Sequence, residues 1–393
     1  MKNTIHVWPE PLIRQDGLIT IAAIIETAGM DRCRLWYRVP EACSDWVTKS
    51  ADSFLLGTLF RAMRAGQDLH VHGTVSPSLL VNLQEFQRAW SLWLPRHYQC
   101  VDLRTDHEEE RRPVPGQEAI LGFSGGVDSA FSAWSHGSRR SGPGKYKLTV
   151  GLMVHGLDIP VEETDVFERA AEKSHRMLAS IGMELIPMAT NFRQLGDRWD
   201  DAHGAALASC LTLLGGRFGA GLIASSYTYT ELVLPSGSNP VTDGMLSSDS
   251  FQIIHDGTAV ARLEKIEALC QWPEALQNLR VCWAGPHKDR NCCRCTKCTW
   301  VMLAFRILGQ PLPESFERDL TDREIMRIRS GYYTMKKRFE PLLARARKAS
   351  MTASWVRALA FSIWINRLRL VAMRPIRTRK LVRRIDNFLF PPL

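Results

Sequence analysis

Two clusters in this 393-residue chain combine residue types and spacings that suit chemistry. The first is Ser124-Gly125-Gly126-Val127-Asp128-Ser129, directly behind the apolar run Ala119-Ile120-Leu121-Gly122. Gly125 and Gly126 can take backbone angles closed to other residues, which lets main-chain N–H groups approach an anion. Ser129 is placed to cap a following helix, whose N-terminus favours negative charge, and Ser124 adds a hydroxyl donor. A bare Asp128 would repel phosphate, so its useful part is that of a Mg2+ ligand or a support to one. The alternative is a strand-to-helix turn that is merely rich in glycine. The chain lacks the G-x-x-x-x-G-K-[ST] lysine loop, which argues against an ordinary P-loop NTPase.

The second cluster is Cys282, Cys292, Cys295 and Cys298, in the pattern C-x9-C-x2-C-x2-C, with Cys293 left over as a neighbour. Thiolates at this spacing close a tetrahedral zinc site around a tight knuckle, and four of them leave no open position, so such an ion would be structural. An iron–sulfur cluster or buried apolar cysteines are the alternatives.

The elements that must position these groups follow from periodicity. From Glu118 the chain reads strand, helix, strand, helix. Apolar strands are expected at 119–123, 147–156, 183–191 and 221–227, with helices at 129–137, 166–182 and 203–219. This alternation predicts a parallel α/β sheet with helices on both faces, and ligands in such sheets bind at the carboxyl ends of strands. His155 and Asp158 follow the second strand, where adenine or substrate would lie, or they form a turn with Gly156. Asn191 and Arg193 follow the third, and Arg193 has the forked geometry to clamp a carboxylate. Ser225, Ser226, Tyr227 and Tyr229 end the fourth and could hydrogen-bond a polar ligand. The string Gly215-Gly216-Arg217-Phe218-Gly219 reads as a helix stop before a strand.

Three domains are expected: an α+β unit over 1–115, the α/β unit over 116–310, and a helical basic extension over 311–393. In the first, strands are expected at 19–27 and 33–39, a helix at 52–66 ending on Gly66, and a second helix entered through Ser76-Pro77, with Ser76 as its cap. A strand candidate begins at Tyr98, and the charged, proline-bearing run 106–118 reads as a linker.

The six-residue string resembles the SGGxDS signature of the PP-loop ATP pyrophosphatases, an adenine nucleotide alpha hydrolase-like superfamily of Rossmann-like (HUP) fold whose members split ATP between the α- and β-phosphates. With the cysteine pattern behind it, the segment 118–310 is similar to the 7-cyano-7-deazaguanine synthase branch. That resemblance implies a ligase that adenylates a carboxylate, releases pyrophosphate, and uses ammonia or an amine as second substrate, with ATP, Mg2+ and Zn2+ bound. It implies ATP contacts from residues 124–129, with Ser124 and Asp128 in the catalytic set. Ala261-Arg262-Leu263-Glu264-Lys265-Ile266 is similar to the family's lysine-bearing helix start, which would place Lys265 on phosphate with Arg262 as helper; an ordinary amphipathic helix is the alternative. The chain departs from the branch after its fourth strand and after its second, where His155-Gly156-Leu157-Asp158 stands. These departures leave the substrate open. An ATP-dependent epimerase, a tRNA sulfur transferase of the same superfamily and a non-catalytic ATP-binding scaffold stand as other readings.

The formal charge of +9 is uneven. Residues 336–393 hold 15 Lys and Arg against two acids, which leaves 1–335 mildly acidic. The composition therefore gives no reason to expect the whole body to bind nucleic acid. The tail is either a packed helix with snorkelling arginines or a contact for an anionic surface or acidic partner. Ten cysteines without a visible export signal, and no apolar stretch near the roughly 18 residues of a spanning helix, point to a cytoplasmic protein with reduced thiols. A second copy of the chain is one partner to expect.

Overall fold

The computed structural model describes residues 4–111, 118–137, 146–282, 285, 287–331 and 334–372. The chain forms two compact units, Met1–Lys265 and Ile266–Leu393.

The first unit is built on one 11-stranded sheet. Its strands are β1 (Thr4–Pro9), β2 (Ile13–Gln15), β3 (Leu18–Thr27), β4 (Cys33–Pro40), β5 (Asp68–Val75), β6 (Leu103–Glu108), β7 (Glu118–Gly122), β8 (Leu148–His155), β9 (Glu184–Thr190), β10 (Phe218–Ala224) and β11 (Gln252–Asp256). The helices are α1 (Asp52–Ala65), α2 (Pro77–Trp93), α3 (Val127–His136), α4 (Thr164–Ser180), α5 (Trp199–Thr212) and the start of α6 (Arg262–Leu269). The strand order is β11-β10-β7-β8-β9-β4-β3-β1-β5-β6, with β2 on β3.

Strands β7 to β11 are mutually parallel. The chain leaves β7 for β8 and β9 on one side, then returns to β10 and β11 on the other. The order therefore reverses at β7, and the loop behind β7 opens at the switch point where such sheets hold ligands. The residues are suited to this layout. Ala119, Ile120 and Leu121 are buried, as a strand flanked on both edges and both faces requires.

A boundary near residue 115 is expected from the sequence, yet the N-terminal strands continue this same sheet. β4 pairs antiparallel with β9, Tyr37 opposite Thr190 and Arg38 opposite Ala189. Without β4 the backbone edge of β9 would lie open, and Thr190 strengthens the junction by donating its hydroxyl to the Trp36 carbonyl at 2.8 Å. One apolar cluster accordingly runs from Ile5 and Val7 through Phe60, Trp90 and Ile120 to Phe218 and Ile253.

Most expected elements are present, with three local differences. The strand expected from Tyr98 begins only at Leu103 and runs to Glu108, into the start of the expected linker, where it pairs with β5. Helix α5 stops at Thr212, and Phe218 already belongs to β10. The break falls there because Gly216 lies against the Trp46 carbonyl, too close for any side chain. Ser76 precedes α2 but does not cap it with its side chain. Its hydroxyl and backbone N–H instead donate to the buried Asp52 carboxylate at 2.7 and 2.9 Å. Burial pushes that carboxyl above its ordinary value, and the Ser76 hydrogen bonds oppose the shift.

The second unit contains α7 (Pro273–Asn278), α8 (Thr296–Ile307) and α9 (Asp322–Met326), then helices Glu340–Lys348 and Ser354–Ala372. Thr321 and Glu324 form a reciprocal capping box at the start of α9. Buried Asn366 donates to the carbonyls of Ile328 and Ser362, which ties the last described helix to the segment behind α9. The extension is helical to Ala372 as expected, while the arginine-rich stretch from 373 onward lies outside the described residues. Among the described residues no helix is long and apolar enough to cross a membrane.

Candidate functional site

The loop between β7 and α3 is folded on itself. Gly125 sits at φ +72°, a left-handed conformation that glycine adopts without strain. Its neighbour Gly126 is extended and precedes α3, so the backbone turns sharply between strand and helix. Two serines hold the turn. The Ser129 hydroxyl accepts from the Ser124 N–H at 3.2 Å and lies 3.3 Å from the Gly126 carbonyl. The Ser124 hydroxyl lies 3.2 Å from it and accepts from the Gly126 N–H at 3.4 Å. Ser129 is thus the third residue of α3 and a clasp for the loop, not the helix cap expected from the sequence. Val127, first in the helix, is buried and anchors it.

Asp128 faces two cations from the helix behind β11. Arg262 donates to it at 2.5 and 3.4 Å, and the Lys265 ammonium at 3.3 Å. Lys265 also donates to the Ser225 carbonyl at 2.6 Å, and its side chain is only 2% exposed. Burial alone would push the Asp128 carboxyl up; the Arg262 and Lys265 charges outweigh it and hold it below the ordinary carboxylate range. Burial pushes the Lys265 ammonium down, partly offset by Asp128. A carboxylate between a half-buried Arg262 and a buried Lys265 carries excess positive charge, which suits a polyanionic ligand better than a cationic one. The Ser226 hydroxyl is a distant third partner of Asp128 at 3.5 Å.

A supporting network lies one and two helical turns along α3 from Asp128. Asp256, the last residue of β11, accepts from Ser132 at 2.5 Å and pairs with His136 at 3.0 Å, both on α3. It fixes α3 to β11 and hence Asp128 to the chain segment that supplies Arg262 and Lys265.

The structure therefore brings together Ser124 to Ser129, Ser226, Arg262 and Lys265 from widely separated positions. Other expected site residues are used differently. The Asn191 side chain is buried, accepting from the Trp36 N–H at 2.9 Å and donating to the Arg34 carbonyl at 2.7 Å. It serves the β4–β9 junction. Arg193 is exposed and lies over the Trp199 ring at 4.4 Å, behind a strand two places from β7. His155 stacks on Phe167 at 4.4 Å, with its Nε2 2.8 Å from the Pro160 carbonyl. Burial lowers its basicity, so the neutral ring donates there and closes the 156–160 turn. Gly156 is needed in that turn, because at φ +98° a side chain would overlap the Thr190 carbonyl. Tyr227 is half-buried, its carbonyl accepting from Ser225 at 2.5 Å, and Tyr229 is exposed. Reasoning from the sequence missed His136 and the Ser225 carbonyl. The string His255-Asp256-Gly257 reads from the sequence as a tight turn or a substrate contact, and Asp256 is used instead to hold α3.

In the second unit, the sulfurs of Cys282, Cys292, Cys295 and Cys298 all lie within 4.8 Å of one another. The Cys292 and Cys298 sulfurs are 3.9 Å apart, close to the roughly 3.8 Å that a tetrahedral ion with Zn–S bonds of about 2.3 Å requires. Backbone N–H groups of Cys295 and Cys298 donate to the sulfurs of Cys292 and Cys295, at 3.2 and 3.5 Å. Such bonds favour thiolates. Hydrogen bonds from the other three pull the Cys282 thiol well down, and the same crowding pushes Cys295 and Cys298 up. Four thiols so close ionise together only around a cation. Cys293 is buried and turned away toward the Asn291 carbonyl, in a left-handed conformation that shapes the knuckle. This group can hold a metal ion such as zinc.

No family model, curated protein or solved structure matches the chain.

Proposed function

We propose that the chain is a PP-loop-type ligase that adenylates a carboxylate with ATP. The observation carrying this reading is the glycine turn at the sheet's switch point, with Asp128 held between Arg262 and Lys265. A carboxylate is a poor acyl donor because oxide would have to leave. If one carboxylate oxygen attacks the α-phosphorus, a new P–O bond forms. The bond from the α-phosphorus to the bridging oxygen breaks, and pyrophosphate departs with the electron pair. AMP then serves as leaving group when ammonia or an amine attacks the acyl carbon.

Pyrophosphate gathers negative charge as it leaves. The N-terminus of α3, Lys265 and Arg262 are the groups suited to receive it. Mg2+, when bound, would neutralise part of the same charge, and Asp128 would be its nearest carboxylate. Both Asp128 oxygens are engaged by Arg262 and Lys265. On this reading its first task is to align the two cations, and a metal would share the carboxylate with them. Ser226 and Tyr227, after the neighbouring β10, are the residues best placed for the acceptor. The cysteine group is assigned a structural zinc.

Product analysis tests the proposal. Zinc-replete protein is incubated with Mg-ATP, ammonium and a pool of small carboxylates, beside Asp128→Ala. AMP and pyrophosphate from the wild type alone support it. ADP and phosphate from a reaction that survives in Asp128→Ala would sink it.

A further inference from the structure

We propose a second metal site in the first unit, in which His6, His70 and His72 bind a divalent transition ion and Asp106 orients two of the rings. The inference is independent of the adenylation reading.

The strands bring these residues together by register. His6 on β1 lies directly opposite His70 on the parallel β5. His72 is two residues on, so it shares the face of His70. Asp106 comes from β6, on the far side of β5. The β5–β6 register shifts between Val71 and Thr74, a bulge that brackets His72 and re-aims side chains locally. The alternate residues Ile5, Val7, Leu69 and Val71 are fully buried in the core, so the histidines occupy the opposite face.

The donor atoms converge. One ring nitrogen from each of His6, His70 and His72 lies within 4.8 Å of the other two. His6 Nδ1 and His72 Nε2 are 2.9 Å apart. Metal–nitrogen bonds of about 2.0–2.1 Å at tetrahedral angles give nitrogen separations of roughly 3.3 Å, so little adjustment is needed. Asp106 Oδ1 is 2.9 Å from His70 Nε2 and 3.2 Å from His72 Nδ1. The surroundings are ordered. Trp8 lies flat on the His72 ring at 3.4 Å and donates its indole N–H to Glu26 at 2.9 Å. Three imidazoles, one held by a carboxylate through its other nitrogen, select zinc, copper, nickel or cobalt over magnesium or calcium. They also differ in kind from the four thiols of the second unit, which makes the two sites separable by spectroscopy.

Full-length protein stripped of metal is titrated with Co2+ and, separately, reloaded with zinc for metal analysis. Two retained equivalents per chain are expected. One gives the near-ultraviolet sulfur-to-cobalt band, and the other gives only visible ligand-field absorption. The doubly substituted His70→Gln, His72→Gln protein should lose the second equivalent and keep the thiolate band. Cys295→Ser should lose the band and keep the other signal. The wild-type titration decides even if a variant fails to fold. A single equivalent carrying the thiolate band, or two equivalents unchanged by the histidine substitutions, would overturn the site.

Discussion

At Asp128 one half-buried carboxylate is set against two cations, whereas the knuckle between Cys282 and Cys298 gathers four ionisable thiols around a common centre. The first arrangement brings its own counter-charges and is assembled by folding alone. The second has thiols that cannot all ionise until a cation enters. A site for a ligand that comes and goes must hold its shape in between, while a permanent ion can be part of the fold itself. The difference teaches what each region suits: excess positive charge at the glycine loop favours an anion, and clustered thiols at the knuckle favour a cation.

The largest effect expected from this comparison is on the knuckle. Binding of structural zinc is worth on the order of 10 kcal/mol in small zinc domains. Chelation, or Cys295→Ser, is therefore expected to unfold the surroundings of the knuckle, read as lost helical circular dichroism and early proteolysis between 270 and 310. A knuckle as stable without metal as with it would break the contrast.

Asp128→Asn comes next. It keeps the shape but leaves the half-buried Arg262 and the buried Lys265 without their partner, which costs about 3 kcal/mol, the low end for a broken buried pair. Denaturant melts would show it. The pH dependence has a definite sign. The folded pKa of Asp128 lies below its unfolded value, so its contribution is complete above the ordinary carboxylate range. It is lost as pH falls through the depressed folded value. Asp128→Asn should lack that acid-side increment, and parallel wild-type and variant profiles at low pH would count against the pair.

Asn191→Ala removes two buried hydrogen bonds to the backbone of residues 34 and 36, at a cost of about 2 kcal/mol. Nucleotide affinity should be unchanged, which distinguishes a junction residue from a substrate contact. A selective loss of nucleotide or acceptor binding would restore Asn191 to the site. The smallest expected effect on stability is that of Gly125→Ala. A left-handed non-glycine residue costs about 1 kcal/mol. The change should still weaken ATP binding, because it disturbs the turn that sets the N-terminus of α3 beside Arg262 and Lys265.

The elements behind the glycine loop could be read from the sequence because local signals agreed there. Apolar runs of strand length alternate with amphipathic helices, and helix α6 spans nearly the segment expected from Arg262 and Lys265. The cysteine spacing is likewise local. Side-chain duties that depend on distant strands were hidden. Asn191 looks like a polar residue at a strand end until β4 pairs with β9, and Ser76 looks like a helix cap until Asp52 arrives from α1. His6 and the pair His70 and His72 are 64 residues apart at their nearest. Nothing local marks them until the parallel pairing of β1 with β5 sets them side by side.

The central claim is that a carboxylate oxygen attacks the α-phosphorus at the Asp128 loop. It is tested most directly by isotope transfer. The wild-type protein is given Mg-ATP, ammonium and a pool of carboxylates labelled with oxygen-18, and the AMP is analysed by mass. One labelled oxygen in AMP, absent with Asp128→Asn, is the predicted result. AMP formed without label, or ADP in its place, would contradict it.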